Sequence, residues 1–247
     1  AKNGGHSPAF HGQFSDNRFA FLFMPGTYKV DVPVGYYTTV HGLGTSPDDV
    51  TFSGDKGVFC EEGSYNATGG ALDNFWRGAE NFRSRASFKW RTGTGMLWAV
   101  SQAAPLRRVH VDQKLVLYEY EPPYRQAGYA SGGFLADAVV EQGFIAGSQQ
   151  QWMCRNVHMG GATKAAAASL SAWNSVYVGC SGAVPAAHCG DADKTHSSVV
   201  VDMTPIIAEK PFIVLNADGA TYSLVVPPRT SNSSGASWVS PPPAAPH

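Results

Sequence analysis

At 247 residues with 43 % hydrophobic content, the chain can bury a sizeable core as one elongated domain or two small ones. Charged residues are only 15 %, and 27 glycines with 16 prolines favour strands and turns over long helices. A net charge of -1 with no clustered lysines and arginines excludes the electrostatic footprint of a nucleic-acid binder, and no run of about 20 apolar residues is present to span a membrane.

Short apolar runs recur along the chain with Gly, Pro, Asn and Asp between them. The first, Phe19-Ala20-Phe21-Leu22-Phe23-Met24, stops at Pro25-Gly26, and runs at 28–34 and 36–40 lead into His41-Gly42-Leu43-Gly44. Further runs lie at 50–52, 98–100, 109–111, 115–120, 134–140, 144–146, 176–178, 198–201, 212–215 and 222–226. Each is too short for a helix, and their mixture of continuous and alternating apolarity suits strands with one face in a core. The best helical candidate is the alanine-rich stretch 163–170, which is too short to stand alone. Two-residue hairpin turns are scarce apart from Asp218-Gly219, which disfavours a sandwich or barrel. A solenoid fits better. The phrase Leu22-Phe23-Met24-Pro25-Gly26-Thr27-Tyr28, followed by Val30, Val32 and Val34, reads as a sharp turn from one strand into the next. The expected fold is all-β, a single-stranded right-handed parallel β-helix over residues 1–238, with a Pro-rich tail or linker at 239–247.

Cys60, Cys154, Cys180 and Cys189 are an even number and allow three disulfide connectivities. Asn66-Ala67-Thr68 and Asn232-Ser233-Ser234 are glycosylation sequons, and the two signals together predict a mature, soluble protein of an oxidising extracellular compartment. A metal site from Cys180, His188, Cys189, Asp191 and His196 is the rival reading, disfavoured because no Cys-x-x-Cys spacing occurs. No metal and no cofactor are expected.

The run most suggestive of function is Gly147-Ser148-Gln149-Gln150-Gln151-Trp152, closed by Arg155-Asn156 and echoed upstream by Trp98-Ala99-Val100-Ser101-Gln102. On a continuous strand, Gln149 and Gln151 would share one face and Gln150 and Trp152 the other. Amides offer both donors and acceptors to a hydroxyl-rich ligand, and an indole offers a flat apolar wall. This makes Gln102, Gln149, Gln151, Trp152, Arg155 and Asn156 candidate glycan contacts. The alternative is a buried amide ladder that satisfies backbone groups between stacked coils. Glycoside cleavage needs a carboxylic acid together with a base or nucleophile. Among Asp73, Glu80, Asp112, Asp137, Glu141 and Glu209, the catalytic candidates are Asp137 and Glu209, with a turn-capping role the alternative for Asp137. No convincing pair is evident. Ser131 followed by Gly132-Gly133 is not a nucleophile elbow, since Gly-x-Ser-x-Gly is absent.

Residues 19–49, Asn74-Phe75-Trp76-Arg77, 98–111, 129–137, 147–156 and 204–212 form an ordered set of motifs. Together they resemble the N-terminal half of secreted bacterial and fungal β-helix proteins loosely labelled adenylyl cyclase or coagulation factor 5/8 type domain proteins. Those are in turn similar to the twin β-helix fold of glycoside hydrolase family 55, the exo-acting β-1,3-glucanases. The resemblance covers residues 14–238. The cyclase label finds no phosphate loop or paired-aspartate metal site in this sequence. The resemblance implies an active site between two β-helical halves, with glutamines of the first placing the hydrolytic water and an acid supplied by the second. Gln149 and Gln151 match that pair, and Trp173 and Asn174 border the same groove. The sequence stops where such relatives begin their next β-helix.

Three readings follow. The first is a secreted, glycosylated module of the matrix or cell surface that binds glycans and is non-catalytic by itself. The second is a glycoside hydrolase of the β-1,3-glucanase type, and the third a polysaccharide lyase, disfavoured by a neutral, amide-rich groove. An open solenoid end exposes strand edges, so self-association or docking to another β-helix is expected.

Overall fold

The computed structural model describes residues 16–61, 71–72, 74–121, 126–161, 172–187, 189 and 197–239. Eight strands stack in chain order, each parallel to the next: Phe19–Phe23, Thr38–Gly42, Gly78–Ser84, Pro105–Val111, Phe134–Val140, Gln151–Met159, Asn174–Val178 and Ser197–Val201. Parallel neighbours cannot be joined by a tight turn, so after each rung the chain travels around before it returns. The return path builds a second set of rungs, with Gly93–Leu97, Lys114–Val116 and Phe144–Ile145 stacked in parallel. Val32–Pro33 on Val58–Phe59 continues the pattern in the first coils. The fold is therefore the expected all-β parallel solenoid. The stretch 163–170 lies outside the described residues, among which the only helical turn is the short 3-10 segment Pro47–Asp49. None of their helices is long and apolar enough to cross a membrane.

Between the two sets of rungs lies one continuous apolar interior. Val40, Phe82, Trp98, Leu106, Val109, Leu117, Leu135, Val140 and Met159 are all fully buried there. Four consecutive main-sheet strands bend at their middle. Asn81, Arg108, Asp137 and Asn156 have φ of 60, 48, 52 and 53 degrees, and stack as one column. Asn and Asp accept this left-handed conformation more readily than other side chains. Each bend resets the in-out alternation, so Ala79 and Phe82 both face inward on Gly78–Ser84, as do Leu106 and Val109 on Pro105–Val111. This explains why Gly78–Ser84 shows no alternating run in the sequence, and why Pro105–Val111 is longer than the predicted 109–111.

The Ser131-Gly132-Gly133 motif is structural at both glycines. Gly132 sits at φ +101, which excludes ordinary side chains, and a Cβ on Gly133 would lie 1.9 Å from Cζ3 of Trp152. Gly133→Ala is expected to cost about 1–3 kcal/mol through overpacking against this indole, measured by urea unfolding.

Beyond Ser197–Val201 the chain makes antiparallel pairs. Thr204–Ile207 pairs with Thr230–Ser233, and Phe212–Leu215 with Tyr222–Val225. The turn of the second pair is the anticipated Asp218-Gly219, where Asp218 accepts hydrogen bonds from the backbone N–H groups of Ala220 and Thr221. This arm runs back over the main sheet and reaches the second coil, where Leu215 N–H donates to the Leu43 carbonyl. Residues 240–247 lie outside the described ones.

The anticipated disulfides are not formed: all four cysteines are free. Cys60 and Cys154 are interior residues four rungs apart, roughly 19 Å at the usual strand spacing, against the 4.4–6.8 Å between Cα atoms that a disulfide spans. Burial pushes the Cys60 and Cys180 thiols up to about 11, so both stay protonated. Cys189 is exposed. Of the sequons, Asn232 is exposed on Thr230–Ser233, and Asn66 lies outside the described residues.

Candidate functional site

A second column of bends marks the corner where the chain enters the main sheet. Tyr37, Trp76, Ala103 and Gly132 occupy it with φ of 55, 53, 60 and 101 degrees. The residues before the last two, Gln102 and Ser131, begin a polar row across successive coils. Gln102 Nε2 donates to Ser131 Oγ at 3.2 Å, and Ser131 Oγ donates to Gln151 Oε1 at 3.1 Å. Gln151 is in register with Asn174, whose Oδ1 accepts from Ser197 Oγ at 2.8 Å. Every member of this row is neutral and at least partly exposed. Exposed aromatic rings accompany it: Trp173 beside Asn174, Tyr129 on the coil of Ser131, and Trp76 one coil before Gln102. Amides and hydroxyls next to flat apolar rings suit a neutral polyhydroxylated ligand.

The structure thus brings Gln102, Gln151, Trp173 and Asn174 together at the surface and removes the other anticipated contacts from it. Gln149 and Gln151 do not share a face. Residues 147–150 form a corner, with Gly147 at φ +53, and the strand begins only at Gln151, so alternation cannot be counted through the run. Gln149 is fully buried. Its Oε1 accepts from Gly132 N–H at 2.8 Å, and its Nε2 donates to the carbonyls of Val100 and Leu117 at 3.2 and 3.3 Å. It is the amide ladder between coils. Trp152 is buried against Gly133 and donates its indole N–H to Cys154 Sγ, so it is no sugar platform. Asn156 is buried beneath the arm, donating to Ser233 Oγ and the Gly235 carbonyl and accepting from Thr204 Oγ1. Arg155 donates to Glu209 Oε2 at 2.5 Å and lies over the Phe134 ring.

Both carboxylates proposed for catalysis lie at the contact between arm and sheet. Asp137 is 1 % exposed. Its Oδ2 accepts from Arg108 Nη1 at 3.1 Å and Ser237 Oγ at 3.0 Å, and its Oδ1 accepts from Ser237 N–H at 2.6 Å. It does bond a backbone amide, as a turn-capping aspartate would, but one 100 residues away. Glu209 is nearly buried, and burial pushes its carboxyl above the usual range while Arg155 partly offsets this. Burial would also raise Glu80, yet hydrogen bonds from His41 and Lys210 outweigh it and hold the carboxyl below the usual value. Asp112 pairs with Arg83 and Glu141 with His110, and Asp73 lies outside the described residues. None of these described carboxylates hydrogen-bonds a member of the row.

Ser131, Ser197, Trp76 and Tyr129 were not anticipated as site residues. Trp76 and Tyr129 do carry a sequence signal, each being an aromatic inside one of the ordered motifs, 74–77 and 129–137.

No protein-family model matches the chain. It is 39 % identical over 227 residues to an exo-β-1,3-glucanase of Streptomyces sp. (strain SirexAA-E / ActE), covering 92 % of this chain and 33 % of that protein. The solved structure of sacteLam55A from Streptomyces sp. SirexAA-E matches with a TM-score of 0.72 at 36 % identity, over 92 % of this chain and 36 % of that one. A variant of sacteLam55A in complex with glucose matches with a TM-score of 0.71, also at 36 % identity and over the same shares of both chains. The chain spans about a third of the length of these similar proteins. Shared sequence and shared solenoid together make it a relative of the glycoside hydrolase family 55 proteins over the part that it covers, and lend no support to the cyclase or coagulation-factor labels.

Proposed function

We propose that the chain is the β-solenoid part of a glycoside hydrolase acting on β-1,3-glucan, and that the row Gln102, Ser131, Gln151, Asn174 and Ser197, with Trp173, faces the sugar. The similarity to an exo-β-1,3-glucanase along 92 % of the chain carries this reading and favours it over a non-catalytic module. The chemistry of the row agrees. A β-1,3-glucan is neutral, and so is every residue of the row, whereas the acidic sugars cleaved by lyases call for cations. Amides and hydroxyls can orient a sugar or a water, but they cannot supply the proton that the leaving oxygen needs. The resemblance to family 55 assigns that acid to a second β-helical half facing the row. Docking to such a half, or self-association, belongs to the same reading and is supported by the exposed Val199, Val201 and Met203 at the last rung. So does secretion, which rests on the two sequons.

The test is calorimetric binding of β-1,3-gluco-oligosaccharides, with β-1,4-linked oligosaccharides as control. The β-1,3 series is expected to bind preferentially. Trp173→Ala is expected to weaken it about tenfold, since stacking on an exposed aromatic contributes roughly 1 kcal/mol or more. Equal binding of both linkages, or of neither, would overturn the assignment. A strict monomer by light scattering at micromolar concentration would remove self-association.

A further inference from the structure

We propose that Ser131 is a positioning residue that sets the hydrogen-bond polarity of the row, so that Gln151 meets its ligand as a donor and Gln102 as an acceptor. A serine hydroxyl has a single proton and two lone pairs. In this structure Ser131 Oγ accepts from Gln102 Nε2 and spends its proton on Gln151 Oε1. Gln151 therefore turns its NH2 group away from Ser131, and Gln102 turns its carbonyl oxygen away.

The hydroxyl is held where it can do this. Ser131 N–H donates to Ser101 Oγ at 3.1 Å, and the fully buried Ser101 in turn donates to the Ala71 carbonyl at 2.9 Å. One residue on, Gly132 N–H donates to the buried Gln149 Oε1. The same device recurs three coils later, where Ser197 Oγ donates to Asn174 Oδ1; one N–H of the Asn174 amide donates to the Gln150 carbonyl at 3.5 Å, and its other N–H is left for a ligand. The row then offers donors at Gln151 and Asn174 and an acceptor at Gln102. A saccharide meets this pattern by placing oxygen lone pairs at the first two and a hydroxyl proton at the third. A carboxylate group, which only accepts, cannot take the place opposite Gln102 Oε1.

The glucan ligand rests on the function proposed above, but the orientation of Gln151 does not, and the experiment separates them. Side-chain amide resonances of Gln151 and Gln102 are recorded in 1H-15N spectra of the wild type, Ser131→Ala and Ser131→Thr. Ser131→Ala is expected to shift the Gln151 resonances and speed their exchange, with the unfolding midpoint unchanged, and Ser131→Thr to restore both. Affinity for β-1,3-gluco-oligosaccharides is expected to fall roughly three- to tenfold in Ser131→Ala and to return in Ser131→Thr. Unmoved Gln151 resonances in Ser131→Ala, or losses that threonine does not rescue, would overturn the proposal. Shifted and rescued resonances without any glucan binding would uphold the orientation and overturn only the glucan as ligand.

Discussion

Replacing Asp137 with alanine is expected to cost about 3–5 kcal/mol of stability, the usual penalty for breaking a buried ion pair from one side. Arg108, 7 % exposed, would lose its hydrogen-bonded carboxylate and keep Asn81, the Thr45 carbonyl and the Phe212 ring, with Glu209 and Glu80 acting on it without a direct bond. Ser237 would lose the acceptor for both its backbone N–H and its hydroxyl. The effect should therefore extend to the arm. Limited proteolysis within residues 204–239 is expected to speed up along with the fall in the urea midpoint. Asp137→Asn should also destabilise, because it keeps an acceptor for Ser237 but removes the charge opposite Arg108. A variant as stable as the wild type yet unable to support glucan hydrolysis would instead restore Asp137 as the catalytic acid.

Gln149→Ala should cost at least as much, about 3–9 kcal/mol, because it strands three buried backbone groups at roughly 1–3 kcal/mol each. Those groups are the Gly132 N–H and the carbonyls of Val100 and Leu117, which belong to different coils. Gln151→Ala, two residues along, is expected to leave stability within about 0.5 kcal/mol, as exposed positions do, while weakening glucan binding. Urea unfolding and calorimetry on the two variants thus separate interior from surface. If Gln149→Ala unfolds at the wild-type midpoint, the interior ladder is not what holds these coils together.

Much of the fold was legible because it follows from local chemistry. The runs at 134–140 and 212–215 coincide with the strands Phe134–Val140 and Phe212–Leu215, and Asp218-Gly219 forms its turn. Gly78–Ser84 escaped notice because the bend at Asn81 shifts the phase of its alternation. The row was harder still. Its bonded partners stand 29, 20 and 23 residues apart in sequence, since coils of unequal length carry them, and no fixed period betrays the column. The glutamine run misled in a different way: its residues cross a corner before entering a strand, so a two-residue period does not apply to them.

By itself the sequence determined an all-β solenoid and a neutral, amide-bearing surface, because short apolar runs, turn residues and low charge act within a few residues of one another. Only the tertiary structure decided which amides reach that surface and which carboxylates the arm covers. Side-chain direction at a corner depends on the backbone bend there, and a buried polar group takes its partners from coils that only stacking brings within reach.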